Sequence, residues 1–364
     1  MSLTGTALFV LSIGLVPVVM LLMLFAWNRL PGPRGVRIAG RLGMVLVSQA
    51  AAVLAVLIWV NNTYGLYESW SDLMGDNGQV RMDAAGPGNA GVPADPAVAT
   101  QTEFAPGKDG VLATVATGPR SHVTGTVLVW LPPQYDQPAY RHTRFPVVEL
   151  LPGYPGSPGA WFGAMGVGRE LTSLIAEHRA APMILVAPKM NVLGRVDPGC
   201  ADLPHGARTS TWLGTDVPQL VRRHFRAEAG ARHWAIMGYS AGAYCAANTA
   251  LHHARTFHAV VSLSGYNAPE ARLVTRDPAL ARANNPYLEL RAAKHQPDLV
   301  LLMAGSYQDS DTVYAARTLL SVLHHPGPSR LLTIQRGGHN TQVWRSMLPT
   351  ALGWLSEQIA TGRP

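Results

Sequence analysis

At 364 residues with 48% apolar side chains, the chain carries enough apolar surface for a full core and too much for a disordered polymer. Its formal net charge of +7 does not indicate nucleic-acid binding, because no Lys/Arg cluster interleaved with aromatics occurs and Arg29, Arg34, Arg37 and Arg41 supply four of the charges in one short stretch. No His pair has the spacing of a metal site, so neither a metal nor another cofactor is expected.

The first 62 residues differ in composition from the rest. Ala7 to Trp27 is a charge-free run of 21 residues, and Leu42 to Val60 is a second apolar run diluted by Ser48 and Gln49. Each is long enough, as a helix, to span a hydrocarbon core of ~30 Å. A cleaved signal peptide fits the first run poorly: residues 1–6 carry no Lys or Arg, the run exceeds the usual apolar region, and no small-x-small site follows. Residues 1–62 are therefore expected to form a membrane anchor of two transmembrane helices, at about 7–27 and 42–60. The four arginines lie between them without an acid, which makes that connection cytoplasmic under the positive-inside rule. Everything after Val60 is then extracytoplasmic, in a multi-pass cell-membrane protein.

Residues 63–107 read as a juxtamembrane segment and linker, opening on the aromatics Tyr64, Tyr67 and Trp70 and continuing through the Gly-, Pro-, Ala- and Asp-rich stretch Gly75 to Gly107. Residues 108–364 suffice for one α/β domain. From Thr126 onward, apolar strand-like runs alternate with helical ones, the pattern of a mostly parallel central sheet covered on both faces.

Within that domain, Arg232 to Met237 reads as a buried strand that runs into Gly238-Tyr239-Ser240-Ala241-Gly242 and then into a small-residue helix through Ala246 and Ala250. This is the nucleophile-elbow pattern, in which a sharp turn exposes a serine hydroxyl at a strand tip. Ser240 is the candidate nucleophile. A serine needs a histidine to take its proton and a carboxylate to orient that histidine, both downstream in the order Ser, Asp, His. His339 follows the strand Arg330 to Ile334 and the pair Gly337-Gly338, and precedes the helix Val343 to Ile359. The strand Leu299 to Gly305 is followed by Asp309 and Asp311. Asp309, nearer the strand end, is the expected acid; Asp311 is the alternative, and otherwise caps the helix Thr312 to Leu323. Ala241 N–H is one expected oxyanion donor, and Tyr154 N–H is the other, from the loop that ends the strand Pro146 to Leu151. Trp161 and Tyr239 are the expected substrate-binding aromatics, with Trp161 and the Tyr154 ring at the pocket mouth. The segment Asn267 to Gln296 is expected to cover the pocket.

The stretches PVVELLPGYPGSPGAW, GYSAGAYCAAN, FHAVVSLSGY and GGHNTQVW together resemble the esterase D and antigen 85 branch of the α/β-hydrolases, over roughly Gly110 to Ile359. Pro152-Gly153 stands where that branch has His-Gly or Asp-Gly. The resemblance implies an α/β-hydrolase fold preceded by the two apolar helices, and a serine esterase acting on ester or lipid substrates. With the anchor, it points to acyl esters of envelope lipids or glycolipids. An acyltransferase of the antigen 85 kind, a hydrolase of aminoacyl-phospholipids and a catalytically silent binding module stay open as alternatives. Cys200 and Cys245, both on the outward side, are expected to form a disulfide, with two separate thiols as the alternative. Acyl chain length, alcohol selectivity and oligomeric state have no legible code.

Overall fold

The computed structural model describes residues 6–64, 103–107, 110–194 and 196–360. Tyr67, Trp70 and the linker residues 75–102 lie outside them. The chain divides into two compact units, Met1–Met74 and Gly75–Pro364.

The first unit is a helical pair, α1 (Thr6–Ala26) and α2 (Arg34–Tyr64), in contact along their lengths. Both are long and apolar enough to cross a membrane, a property that signal sequences and buried core helices share. The second helix starts earlier than its apolar run. Arg34, Arg37 and Arg41 are helical rather than in a loop, and the first helical bond runs from Arg37 N–H to Pro33 O at 3.2 Å. Arginine is a good helix former, so the helix extends until Gly32-Pro33 stops it. At the same end of the pair, the Arg29 guanidinium stacks 3.6 Å from the Phe25 ring centroid, and Arg41 Nε donates to Trp27 O at 3.2 Å.

The second unit contains, among its described residues, one nine-stranded sheet in the order β1-β2-β3-β5-β4-β6-β7-β8-β9. Its strands are β1 (Ala105–Pro106), β2 (Val111–Thr117), β3 (Thr124–Trp130), β4 (Val147–Leu151), β5 (Ile184–Pro188), β6 (Trp234–Tyr239), β7 (Ala259–Leu263), β8 (Val300–Ser306) and β9 (Arg330–Ile334). From β5 to β9 the neighbours pair in parallel; β1, β2 and β3 form an antiparallel margin. Strands β4 to β8 are buried on both faces, so they read as continuous apolar runs rather than alternating ones.

Helices α4 (Val217–His224), α5 (Ala241–His252) and α6 (Thr312–Ser321) cover one face, where Val147, Leu151, Ile236 and Met303 meet Val217, Ala246 and Leu319. Helices α3 (Val167–Ala176) and α7 (Thr341–Ile359) cover the other, where Val148, Leu150, Met237 and Leu302 meet Leu171, Trp344 and Leu348. A parallel sheet aligns the carboxyl ends of its strands, so the loops after β4, β5, β6, β8 and β9 open along one edge. That edge holds every candidate catalytic group.

One strand residue conflicts with this core. Glu149 sits in the centre of β4, on the face shared by Val147 and Leu151, fully buried, with neither carboxyl oxygen hydrogen-bonded among the described residues. Burial raises its pKa well above the ordinary carboxylate value, so the folded chain keeps this proton to higher pH than the unfolded chain does. Above the ordinary value near 4.5 the unfolded chain ionises this group while the fold retains the proton. Stability therefore falls as pH rises from that value toward the folded pKa. Glu149→Gln, which cannot ionise, is expected to be more stable than the wild type at pH 7 and to lose this slope, as read from melting temperatures between pH 4 and 8. A slope unchanged by the substitution excludes Glu149 as its source.

Candidate active site

The turn after β6 is forced by close approach. A Cβ on Gly238 would stand 2.0 Å from Gly242 O, and one on Gly242 would stand 2.2 Å from Leu151 O and 2.3 Å from Pro152 O. Only glycine fits at either position, because the strand end, the start of α5 and the loop after β4 are stacked without room for a side chain. Between the two, Ser240 is held at φ 56°, ψ −126°, a region that costs a non-glycine residue on the order of 1–3 kcal/mol. Its N–H donates to Leu263 O at 2.9 Å, which fixes the elbow to β7. The serine side chain is thereby presented at the sheet edge.

His339 lies between β9 and α7, and its Nε2 is 2.8 Å from Ser240 Oγ. Its Nδ1 is 2.9 Å and 3.0 Å from the two carboxyl oxygens of Asp309, whose side chain is 2% exposed against 40% for the histidine. A carboxylate only accepts, so the proton between them belongs to Nδ1, and Nε2 is left to accept the Ser240 hydroxyl. Three residues from three loops thus form one hydrogen-bonded chain. Asp311 stands apart: it is exposed, its side chain bonds neither His339 nor the backbone of α6 among the described residues, and it occupies the capping position without a side-chain capping bond.

The Asp309 and His339 loops are locked together by residues that the sequence did not single out. Ser306 Oγ donates to Gly337 O, Gly337 N–H donates to Gln308 Oε1 at 2.8 Å, and Tyr307 N–H donates to Ile334 O at 3.0 Å. A polar side chain at the carboxyl end of a parallel strand is the one sequence signal that marks Ser306 and Gln308.

The loop after β4 lies directly over the elbow. A Cβ on Gly153 would be 3.2 Å from Ser240 Cβ, so the peptide joining Gly153 to Tyr154 borders Ser240. Ala241, first residue of α5, has no carbonyl one turn back inside its helix to accept its N–H. Asn191, a buried residue after β5 that was also not singled out, donates from Nδ2 to Gly153 O at 3.2 Å and to Gly156 O at 2.7 Å.

Two expected substrate contacts are corrected. Trp161 is 0% exposed and Tyr239 is 4% exposed, and neither reaches a pocket mouth. Their rings pack 5.2 Å apart, Tyr239 stacks on Trp344 at 4.6 Å, and Trp344 meets the His339 ring edge-on at 4.9 Å. Tyr239 shares the sheet face of Ala235 and Met237 and is therefore drawn under α3 and α7, into a column of aromatics that supports the histidine from below. Tyr154 remains half-buried. The segment Asn267 to Gln296 contains three short helical pieces and is bonded to α5 at Asn284, between the second and third, with Tyr244 OH donating to Asn284 O at 2.7 Å and Asn248 Nδ2 to Asn284 Oδ1 at 3.0 Å. Among the described residues, no three His, Cys, Asp or Glu side chains gather as a metal site.

Cys200 and Cys245 are joined as a disulfide with Cα atoms 5.5 Å apart, which ties the loop around Gly199 to α5 just beyond Ser240. A closed loop of 45 residues corresponds to about 4 kcal/mol of lost unfolded-state entropy. The double variant Cys200→Ala/Cys245→Ala is expected to lose about 2–4 kcal/mol in denaturant melts. Maleimide should find no free thiol in denatured, unreduced wild type. Two labelled thiols per chain would refute the pairing.

The model of the "Putative esterase" family matches residues 122–355, from β3 through nearly all of α7. The chain belongs to this esterase family. An uncharacterized protein from Corynebacterium glutamicum is 28% identical over 244 residues, 63% of this chain and 56% of that protein, so the chain matches little more than half of that relative's length. Among solved structures, a ferulic acid esterase superposes with a TM-score of 0.59 at 20% identity, over 68% of this chain and 97% of that one. An S-formylglutathione hydrolase from Agrobacterium tumefaciens gives 0.56 at 17% identity, over 72% and 99%. An enterobactin esterase from Shigella flexneri gives 0.52 at 20%, over 70% and 61%. The chain therefore has the α/β-hydrolase fold with a mostly parallel sheet.

Proposed function

We propose that the chain is a membrane-anchored serine esterase that cleaves acyl esters outside the cytoplasm, through an acyl-enzyme formed on Ser240. The observation that carries this reading is the continuous chain from Ser240 Oγ to His339 Nε2 and from His339 Nδ1 to Asp309, at 2.8 Å and 2.9 Å, on a strained elbow. Ser240 Oγ attacks the ester carbonyl as His339 Nε2 takes its proton, and the buried Asp309 carboxylate stabilises the imidazolium. The carbonyl oxygen becomes an oxyanion held by the N–H groups of Ala241 and Tyr154, each worth about 3 kcal/mol to the transition state. His339 then protonates the departing alcohol, and water repeats the cycle to release the acid. Family membership and the ester-cleaving names of the structural neighbours support hydrolysis as the overall reaction.

Anchoring rests on α1 and α2, whose most apolar windows are only 6% and 11% buried, unlike core helices of a soluble domain. Arg29, Arg34, Arg37 and Arg41 gather at one end of the pair, which the positive-inside rule assigns to the cytoplasm. Residues 108–364 then form an extracytoplasmic catalytic domain beyond the segment 63–107, close to envelope lipids and glycolipids as substrates.

A fluorophosphonate probe applied to membranes holding the full chain is expected to label Ser240, with turnover of acyl esters abolished in proportion. No labelling and no turnover would refute the esterase reading. For topology, alkaline phosphatase fused after Pro364 is expected to be active, and added protease to digest the domain in intact spheroplasts. A silent fusion and a protected domain invert the orientation and remove the argument for envelope substrates.

A further inference from the structure

Oxyanion stabilisation demands aim as well as presence, because a donor misdirected by a fraction of an ångström loses most of its effect on the transition state. Ala241 is aimed by a helix. Tyr154 sits in a Gly/Pro loop with no helix behind it, so its direction has to be imposed from elsewhere.

We propose that Asn191 is the positioning residue that aims the Tyr154 N–H at the oxyanion, by holding the Gly153 carbonyl on the opposite side of the same peptide. This rests on the esterase reading above. The peptide between Gly153 and Tyr154 is trans, the cis bond in this loop being the next one, Tyr154-Pro155. In a trans peptide the C=O and N–H point in opposite directions, so fixing one fixes the other. Asn191 Nδ2 donates to Gly153 O at 3.2 Å and to Gly156 O at 2.7 Å. Both partners are carbonyls, which accept only, so the amide nitrogen has to face them and the side chain cannot be flipped without losing both bonds. One amide thus brackets the arch Tyr154-Pro155 at both feet. The arch stands against the nucleophile, since a Cβ on Gly153 would lie 3.2 Å from Ser240 Cβ. A hydrogen bond accepted at Gly153 O also polarises that peptide and strengthens its N–H as a donor.

Asn191 is itself rigidly based. It is 6% exposed and follows β5 by three residues. Lys189 N–H donates to Thr126 O at 2.8 Å, Trp212 Nε1 donates to Lys189 O at 3.0 Å, and Gly194 N–H donates to Asn191 O at 3.2 Å. The aim of the loop after β4 is thereby referred to β3 and β5, two neighbouring strands of the sheet, rather than to the loop's own conformation.

The test compares wild type, Asn191→Ala and the isosteric Asn191→Asp as full chains in detergent, with active sites counted by end-point fluorophosphonate labelling. Per labelled site, kcat for an activated acyl ester is expected to fall about 30- to 100-fold, in line with losing one oxyanion donor. KM should stay within about threefold, and affinity for a boronic acid, whose adduct is tetrahedral, should fall in step with kcat. The acid limb of the pH profile should not move, because the Ser240, His339 and Asp309 chain is untouched. Where Asn191→Ala does not accumulate, Asn191→Asp carries the measurement. Wild-type kcat in either folded variant overturns the inference, as does a loss confined to KM or a shifted acid limb. A wild type that neither labels nor turns over ester overturns the esterase reading itself, and this inference with it.

Discussion

Ser240→Ala and His339→Ala are each expected to lower kcat for ester hydrolysis by about 10⁴- to 10⁶-fold, and the double variant to be no worse than either single one, because members of such a chain act as a unit. The two should nonetheless differ in stability. Ser240 gives up one hydroxyl whose only side-chain partner among the described residues is His339, and alanine takes the same backbone angles at the same cost, so Ser240→Ala should melt within a degree or two of the wild type. Removing His339 strands Asp309, which is 3% exposed and has no other side-chain partner among the described residues. A buried polar group without its partner costs about 1–3 kcal/mol, and a carboxylate more. His339→Ala should therefore lose several degrees of melting temperature as well as its activity. Hydrolysis rates per folded molecule, with parallel thermal melts, read both effects. Turnover near the wild-type rate in either variant would remove the residue from the mechanism.

How far these side chains could be read from the sequence depends on whether each one's constraint is local. Gly238 and Gly242 are dictated by contacts within the elbow and one adjacent loop, so the five-residue pattern carries its own geometry. The placement of His339 and Asp309 near Ser240 was legible because the strands before them are parallel, and parallel strands deliver their carboxyl ends to one edge. Burial defeated the reading of Trp161 and Tyr239. Strands covered on both faces lose the alternation that tells inward from outward, and an aromatic beside a candidate nucleophile then looks like a pocket wall when it is core. The arginines of α2 were misplaced for a related reason: charge marks where an apolar span ends, but a good helix former does not end a helix. The partners of Asn191 and Gln308 could not be read from the sequence, since they lie 35 to 38 and 29 residues away and only the folded sheet brings them together.

Asp309→Asn is expected to reduce kcat by about 10⁴-fold, while Asp311→Asn should stay within about threefold of wild type. The two aspartates are two residues apart and share a loop, so the contrast isolates geometry from composition. Asp309 accepts from His339 Nδ1 with both oxygens and is buried, which fixes the imidazole tautomer and places a negative charge where the imidazolium forms. An asparagine amide keeps the shape but removes the charge, and when its NH2 faces Nδ1 it donates there and moves the imidazole proton to Nε2. The nitrogen facing Ser240 then can no longer accept the hydroxyl proton. Asp311 is exposed and makes no bond to the histidine, so its amide changes only surface charge. The fold tolerates both substitutions, because Asn is isosteric with Asp, and labelling with excess fluorophosphonate over long times should still count a full complement of serines. If Asp311→Asn proves the more damaging, the acid role moves to Asp311, and the loop Ser306 to Asp311 must rearrange when substrate binds.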